Sequence, residues 1–258
     1  MENSNHKNVL ELKDLGIDFG GLTAVNDLNM EVREEEIAGL IGPNGAGKTT
    51  VFNMVTHVYQ PSRGQIIFCG KDTAGRSVVD MNRAGIARTF QNIRLFHGLT
   101  VLDNVKTGFY GRFTYSPLAA VLRLPVYYTQ ERKIDEQARY LLKIFELEQE
   151  AGQLAANLPY GAQRRLEIAR ALATGPNLLL LDEPAAGMNP QETEELMGMI
   201  RRVRDYFHLA ILLIEHDMKL VMGICERITV LNYGCMLAQG TPEQIQANPE
   251  VVKAYLGE

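Results

Sequence analysis

The stretch Ile37-Ala38-Gly39-Leu40-Ile41-Gly42-Pro43-Asn44-Gly45-Ala46-Gly47-Lys48-Thr49 decides the fold. A short apolar run ending in a glycine cluster reads as a buried strand, and the residues from about Gly47 read as a helix. Strand, GxxxxGK[ST] loop and helix in that order are the context in which such a loop cradles phosphate. The glycines let the backbone bend until successive N–H groups point inward, and the helix adds the positive end of its dipole. Lys48 supplies a point charge for β- and γ-phosphates, and the Thr49 hydroxyl suits Mg2+. The candidate binding set is therefore Gly42, Pro43, Asn44, Gly45, Ala46, Gly47, Lys48 and Thr49, with the adjoining Thr50.

Outward from this loop, short apolar runs alternate with helical patterns. Val9–Leu12 and Leu28–Val32 alternate as antiparallel or edge strands do, and Gly64–Phe68 and Ile86–Phe90 read as further strands. Leu178–Leu181 is four leucines shortly before Pro184, too short for a helix, and so a strand buried on both faces. Ala210–Ile214 is a second buried run, and Arg227–Leu231 with Met236–Ala238 closes the sheet. Helical patterns cover Leu102–Thr107, Lys133–Phe145, Gly161–Ala173 and Gln191–Tyr206, and the tail Pro242–Leu256 breaks into two short helices at Asn248-Pro249. The alternation predicts an α/β fold with a mostly parallel sheet and an antiparallel β edge, and the phosphate loop makes it one of the P-loop NTPase kind. From about Asn92 to Thr174 no strand appears, which predicts a helical insertion. Gly108–Tyr128, aromatic-rich and broken by Gly111, Pro117 and Pro125, fits a loop or a helix.

Composition narrows the class. The 258 residues are 46% hydrophobic and 22% charged, which excludes a disordered chain, and a net charge of −5 argues against a strongly basic nucleic-acid binder. Cys69, Cys225 and Cys235 form no CxxC pair, so the expectation is thiols in a reducing cytosol and not a zinc ribbon or disulfide framework. Met1–Asp14 is charged and lacks the apolar core of a signal peptide. No run reaches the roughly 18 apolar residues of a membrane span; the best, Pro117–Tyr128, has 12 residues and contains Arg123. Any work at a membrane is then expected through docking to something that crosses it.

Chemistry-bearing residues follow several predicted strands. Asp182 and Glu183 end the leucine strand, placing one carboxylate to help Mg2+ and the next to orient a water toward a γ-phosphate. His216 follows Ala210–Ile214, and Gln91 follows Ile86–Phe90. Taken singly, a histidine is more often a packing or surface residue and a glutamine usually a solvated one. In a parallel sheet, however, the C-terminal strand ends share one edge, and α/β folds place ligands there.

These residues resemble the ATP-binding cassette of ABC transporters, over about Leu10 to Gly257. The resemblance implies ATP and Mg2+ as ligands. It implies Asp182, with Thr49 and Gln91, on the metal side, and Glu183 as the catalytic base. It implies His216 as a γ-phosphate contact, Gln91 also as a sensor joined to the helical subdomain, and Phe19 as an adenine-stacking aromatic. The family's LSGGQ signature aligns with Leu158-Pro159-Tyr160-Gly161-Ala162. Gly161 is retained, whereas Pro159, Tyr160 and Ala162 depart from it, as does Asn189 from the usual aspartate of the following loop. In outline, the resemblance implies a single cassette over 8–258, with 8–91 and 175–258 as nucleotide-binding core, 92–174 as helical subdomain and 1–7 as a tail.

Phe19-Gly20-Gly21-Leu22, the run Leu158 to Arg170, the run Asp182 to Pro190 and the ending Ala254-Tyr255-Leu256-Gly257 are similar to LivG-type ATPases of branched-chain amino-acid importers. Urea-importer and lipopolysaccharide-export ATPases carry related strings. The implied partners are a second ATPase, a sister chain or a copy, in a head-to-tail dimer, two transmembrane permease subunits and, indirectly, a substrate-binding protein. No nucleic acid is expected, and the implied place is the cytoplasmic face of the inner or plasma membrane. A soluble cassette acting on nucleic acid or ribosomes would usually carry tandem cassettes or basic inserts, which this chain lacks. A non-hydrolysing regulatory cassette is opposed by the intact Lys48, Asp182, Glu183 and His216. A small-molecule kinase or GTPase would leave Gln91 and His216 without work.

Overall fold

The computed structural model describes residues 7–112 and 120–256. In chain order they form β1 (Asn8–Phe19), β2 (Leu22–Arg33), β3 (Ile37–Ile41), α1 (Lys48–Val55), β4 (Arg63–Phe68), β5 (Lys71–Asp72), α2 (Val78–Ala84) and β6 (Ile86–Arg88). Helices α3 (Val101–Phe109), α4 (Pro125–Ile144) and α5 (Tyr160–Ala173) follow. The chain then continues through β7 (Leu178–Asp182), α6 (Pro190–Phe207), β8 (Ala210–Ile214), α7 (Met218–Ile224), β9 (Arg227–Asn232), β10 (Cys235–Gly240), α8 (Pro242–Gln246) and α9 (Pro249–Leu256). Contacts divide the chain into two units, one running up to Arg88 and resuming at Asn177, the other Thr89–Pro176.

The first unit holds two sheets. One is antiparallel, in the order β2-β1-β4-β5; the other runs β10-β9-β3-β8-β7-β6, with β9, β3, β8, β7 and β6 parallel and β10 antiparallel at its edge. β3, β7 and β8 are buried at every position, as parallel strands covered on both faces must be. Leu10, Leu12 and Leu28 of the antiparallel sheet, Val51, Phe52 and Val55 of α1, and Leu40, Leu180 and Leu212 of the parallel sheet share one apolar core. Arg227 joins strands of both sheets, donating from Nε and Nη2 to the two Glu36 oxygens (2.9 and 2.8 Å) and from Nη1 to Glu31 (2.7 Å).

The second unit packs α3, α4 and α5. Val101, Val105 and Phe109 of α3, Ile134, Ala138 and Leu142 of α4, and Leu166 and Ala169 of α5 are buried. α3 and α5 approach closely at Gly108, where a Cβ would lie 2.5 Å from the Arg170 carbonyl and 2.7 Å from the Ala173 methyl. Arg164, fully buried, donates to the carbonyls of Phe90 (2.7 Å) and Gln91 (2.8 Å) and to Glu167 (2.8 Å), while Glu167 accepts from the Arg94 N–H (3.1 Å). The segment 90–94 is thereby tied to α5.

Several expectations are corrected. The strands predicted at Val9–Leu12 and Leu28–Val32 extend to twelve residues each, β1 and β2, because they form a hairpin closed by Gly20-Gly21, both at positive φ. The strand predicted at Ile86–Phe90 stops at Arg88, and Gln91 groups with the helical unit. β5, α2 and α7 were not anticipated. The signals were there in the caps: Ser77 and Asp80 form a capping box on α2, and Asp217 accepts from Lys219 and Leu220 N–H on α7. Of Gly108–Tyr128, Gly108 and Phe109 finish α3 and Pro125 opens α4 at its first turn, the position where a missing N–H costs nothing; residues 113–119 lie outside the described set. Asn189, where an aspartate was usual, caps α6, accepting at 3.0 Å from both Gln191 and Glu192 N–H.

Leu180, fully buried in β7, reports on this core. Leu180→Ala should destabilise the protein by about 2–5 kcal/mol, the range for deleting a buried leucine side chain, read as a lower urea midpoint at unchanged slope.

Candidate active site

In the parallel sheet, β3, β7 and β8 lie side by side with their C-terminal ends on one edge. The loop after β3 runs from Gly42 to Gly47, with Gly42, Gly45 and Gly47 at positive φ. Gly42 is required twice over: its φ is 151°, and a Cβ there would stand 2.1 Å from the Leu231 carbonyl oxygen. A Cβ on Gly47 would come within 2.8 Å of the Ala24 carbonyl oxygen, whereas one on Gly45 would meet nothing within 4 Å. Gly42 and Gly47 are thus packing glycines, while Gly45 faces open space. A cavity of about 430 Å³ opens there, lined by Asn44–Thr50 of the loop and α1 and by Glu183, with Thr23, Ala24, Tyr233 and Gly234 on the remaining walls.

Lys48 is buried at the start of α1, and its Nζ donates to the carbonyls of Gly42 (2.7 Å) and Pro43 (3.0 Å). Burial lowers its pKa, while the nearby Glu183 and Asp182 carboxylates push it back up. Asp182 ends β7 with its carboxylate paired to Arg88 at 2.7 Å. Glu183, next in the chain, adopts φ +46°, a left-handed backbone unusual for a non-glycine residue and a type of strain that clusters at functional sites. Its N–H still donates to Ile214 of β8 at 2.9 Å, so the turn is anchored to the neighbouring strand. His216 is exposed, its Nδ1 3.7 Å from Glu183 Oε2.

The structure therefore brings together the loop residues 42–50, Asp182, Glu183 and His216 within the first unit. Phe19 stands at the β1–β2 hairpin, edge-on to Tyr59 with ring centroids 5.3 Å apart, and is not among the cavity-lining residues. Gln91 and Gly161 belong to the second unit. There Gly161 lies in the first turn of α5, and Pro159 at the N-cap offers no side-chain acceptor to that turn.

Three neighbours of the site were not found from sequence. Glu215, 1% exposed, accepts from the N–H groups of Ala185 (2.8 Å), His216 (3.0 Å) and Asp217 (3.3 Å), binding the turn after β7 to the turn after β8. Burial raises its pKa against the pull of those N–H groups. Gly234, in the β9–β10 turn, donates to the Ala46 carbonyl (3.0 Å) and accepts from Asn26 N–H (2.8 Å). Burial raises the pKa of Tyr255 of α9, while the neighbouring Gly42 backbone pulls it back down. None of the three carries a sequence signal: the burial of Glu215 and the contacts of the other two are set by chain segments that only the fold brings together.

Residues 25–186 match the family model described as ABC transporter. The chain belongs to the ATP-binding cassette family of ABC transporters. Residues 235–258, the segment that contributes Tyr255, match a second model described as branched-chain amino acid ATP-binding cassette transporter. This cassette is 47% identical over 250 residues to the high-affinity branched-chain amino acid transport ATP-binding protein BraF of Pseudomonas aeruginosa, covering 97% of this chain and 98% of that protein. It is 48% identical over 251 residues to LivG of Escherichia coli K12, with the same coverage. The lipopolysaccharide export system ATP-binding protein LptB of Haemophilus influenzae is 33% identical over 250 residues. Among solved structures, the ADP conformation of the ATP-binding cassette MJ1267 superposes with a TM-score of 0.85 at 27% identity, covering 98% of this chain and 100% of that one. As a cassette ATPase the chain binds and hydrolyses ATP.

The glycine geometry separates two kinds of damage. Gly42→Ala should lower the melting temperature by several degrees, because backbone must move to admit the Cβ. Gly45→Ala adds only the left-handed strain of roughly 1–2 kcal/mol, and should leave a more stable protein than Gly42→Ala while still weakening binding of a fluorescent ATP analogue.

Proposed function

We propose that this cassette is the ATP-hydrolysing subunit that powers uptake of branched-chain amino acids through a membrane importer. The observation that carries the mechanism is the meeting of Lys48, Asp182, Glu183 and His216 around the loop at one sheet edge. The solute is supported by the relatives, at 47–48% identity to two branched-chain amino-acid ATPases against 33% to a lipopolysaccharide-export ATPase.

The residues fit a metal-bound triphosphate. No cluster of three or more acidic, histidine or cysteine side chains capable of holding a metal occurs among the described residues, so Thr49 and Asp182 would share a Mg2+ with phosphate oxygens and water. When bound, the metal neutralises charge on the β- and γ-phosphates. The loop N–H groups and the α1 N-terminus hold the phosphates, and Lys48 exchanges its contacts to the Gly42 and Pro43 carbonyls for phosphate oxygens. Glu183 accepts a hydrogen bond from the attacking water and aims it, and His216, on the same rim, contacts the γ-phosphate. Phe19 stacks against adenine.

Gly161 lies in the first turn of α5, and the N-terminus of that helix, with its positive dipole end, offers a second anion contact despite the altered signature. A second cassette, a sister chain or a copy related by a two-fold axis, presents that helix to this loop, and each nucleotide is closed by two chains. ATP favours the closed pair only through its greater affinity for it, and loss of the γ-phosphate releases the pair. Two permease subunits take up this motion at the cytoplasmic face of the membrane, and a binding protein delivers the solute to them. No helix among the described residues is long and apolar enough to cross a membrane.

Glu183→Gln should retain ATP binding while hydrolysis falls roughly a hundredfold, the scale of a positioned base; turnover at the normal rate would remove Glu183 from this role. Purification in mild detergent should recover two permease chains and a second ATPase, and proteoliposomes made from them should accumulate leucine, isoleucine or valine on ATP addition. Accumulation of a different solute would reassign the substrate.

A further inference from the structure

The carboxylate on the metal side is already held. Asp182 Oδ2 accepts from Arg88 Nη2 at 2.7 Å, with both side chains only 7% exposed. The same guanidinium donates from Nη1 to Asn53 Oδ1 at 2.7 Å and lies 5.4 Å from the centre of the Phe52 ring. Asn53 follows Thr49 by four residues in α1, so the two sit on one helix face a turn apart. Arg88 ends β6 and Asp182 ends the adjacent β7. One planar fork therefore ties the carboxylate to the helix that carries the Thr49 hydroxyl, and only arginine offers two donors in that fixed geometry.

We propose that Arg88 is a positioning residue for the metal: through its fork to Asp182 and Asn53 it fixes the spacing between the Asp182 carboxylate and the Thr49 hydroxyl, and so sets how strongly Mg2+ tightens nucleotide binding. This role rests on the Mg–ATP reading of the site. Two effects of the guanidinium oppose each other. Its charge repels a cation, which would make Mg2+ bind better in its absence. Its fork orients a carboxylate that would otherwise be buried without this partner and free to turn away. Groups that orient a metal ligand from behind typically matter by about tenfold to a hundredfold in metal affinity, and the fork's two 2.7 Å bonds carry this orienting effect, whose loss changes Mg2+ dependence in the direction opposite to loss of the charge.

The experiment is titration of the intact protein with a fluorescent ATP analogue, once with Mg2+ and once with EDTA, alongside melting curves. In Arg88→Met and in Asn53→Ala, the tightening produced by Mg2+ should shrink by about tenfold or more, while affinity in EDTA, set by the loop and Lys48, stays unchanged. Arg88→Lys keeps the charge but cannot grip both partners, and should restore only part of the Mg2+ effect. An undiminished or larger Mg2+ effect in both Arg88→Met and Asn53→Ala, or full rescue by Arg88→Lys, would overturn the proposal. So would an equal loss of affinity in EDTA, which marks a purely structural role. If Arg88→Met fails to fold, Asn53→Ala, which leaves the ion pair in place, carries the same test. Wild-type protein that binds no analogue at all would overturn the nucleotide reading of the site itself.

Discussion

The structure depends on a close approach of backbone to backbone. The loop after β3 can present its N–H groups to an anion only by lying against the end of β9 and the edge of β2, with the Leu231 and Ala24 carbonyls where a Cβ at Gly42 or Gly47 would otherwise project. The β9–β10 turn completes the clamp, since Gly234 bonds to Ala46 on one side and Asn26 on the other. In this state the Lys48 ammonium is satisfied by the loop's own carbonyls, which reconciles a buried charge with a burial-lowered pKa. A phosphate offers the same ammonium a stronger, charged acceptor at little rearrangement.

Carboxylates at the sheet edge obey the matching rule that a buried charge needs partners. Asp182 takes an arginine and Glu215 takes three backbone N–H groups; Glu183, partly exposed, stands toward the cavity. Asp182 and Glu215 are thus locked in place, whereas Glu183 is left near solvent on a turn of left-handed backbone. The same logic appears away from the site, where Arg227 grips Glu36 with two parallel bonds and Glu31 with a third.

The helical unit solves a different problem. Its altered signature removes the usual serine at the start of α5, and Pro159 supplies no side-chain acceptor in its place. One turn into α5, Arg164 and, one turn further, Glu167 form a buried network that fixes the backbone at Phe90, Gln91 and Arg94. The signature helix and the glutamine segment are thus parts of one body, so movement of either carries the other.

The phosphate loop, the buried β7 and β8, the acidic pair, and helices α5 and α6 were legible in the sequence, because each rests on local chemistry: glycines at fixed spacing, runs of apolar residues too short for a helix, a proline or cap at a helix start. The hairpin of β1 and β2 was legible only at its apolar centres, since its long outer ends are held by cross-strand pairing and not by their own side chains. Arg88, Asn53, Glu215, Gly234 and Tyr255 were not legible as parts of the site. Arg88 meets Asp182 across 94 residues, and Gly234 meets Asn26 across an even longer stretch. Short-range pattern in the sequence was enough for the kind of ligand and for the main alternation of strands and helices around it, though not for the short β5, α2 and α7. Which buried charges balance one another was decided only by the tertiary structure, because ion pairing at the sheet edge depends on which strand ends the folded sheet sets side by side.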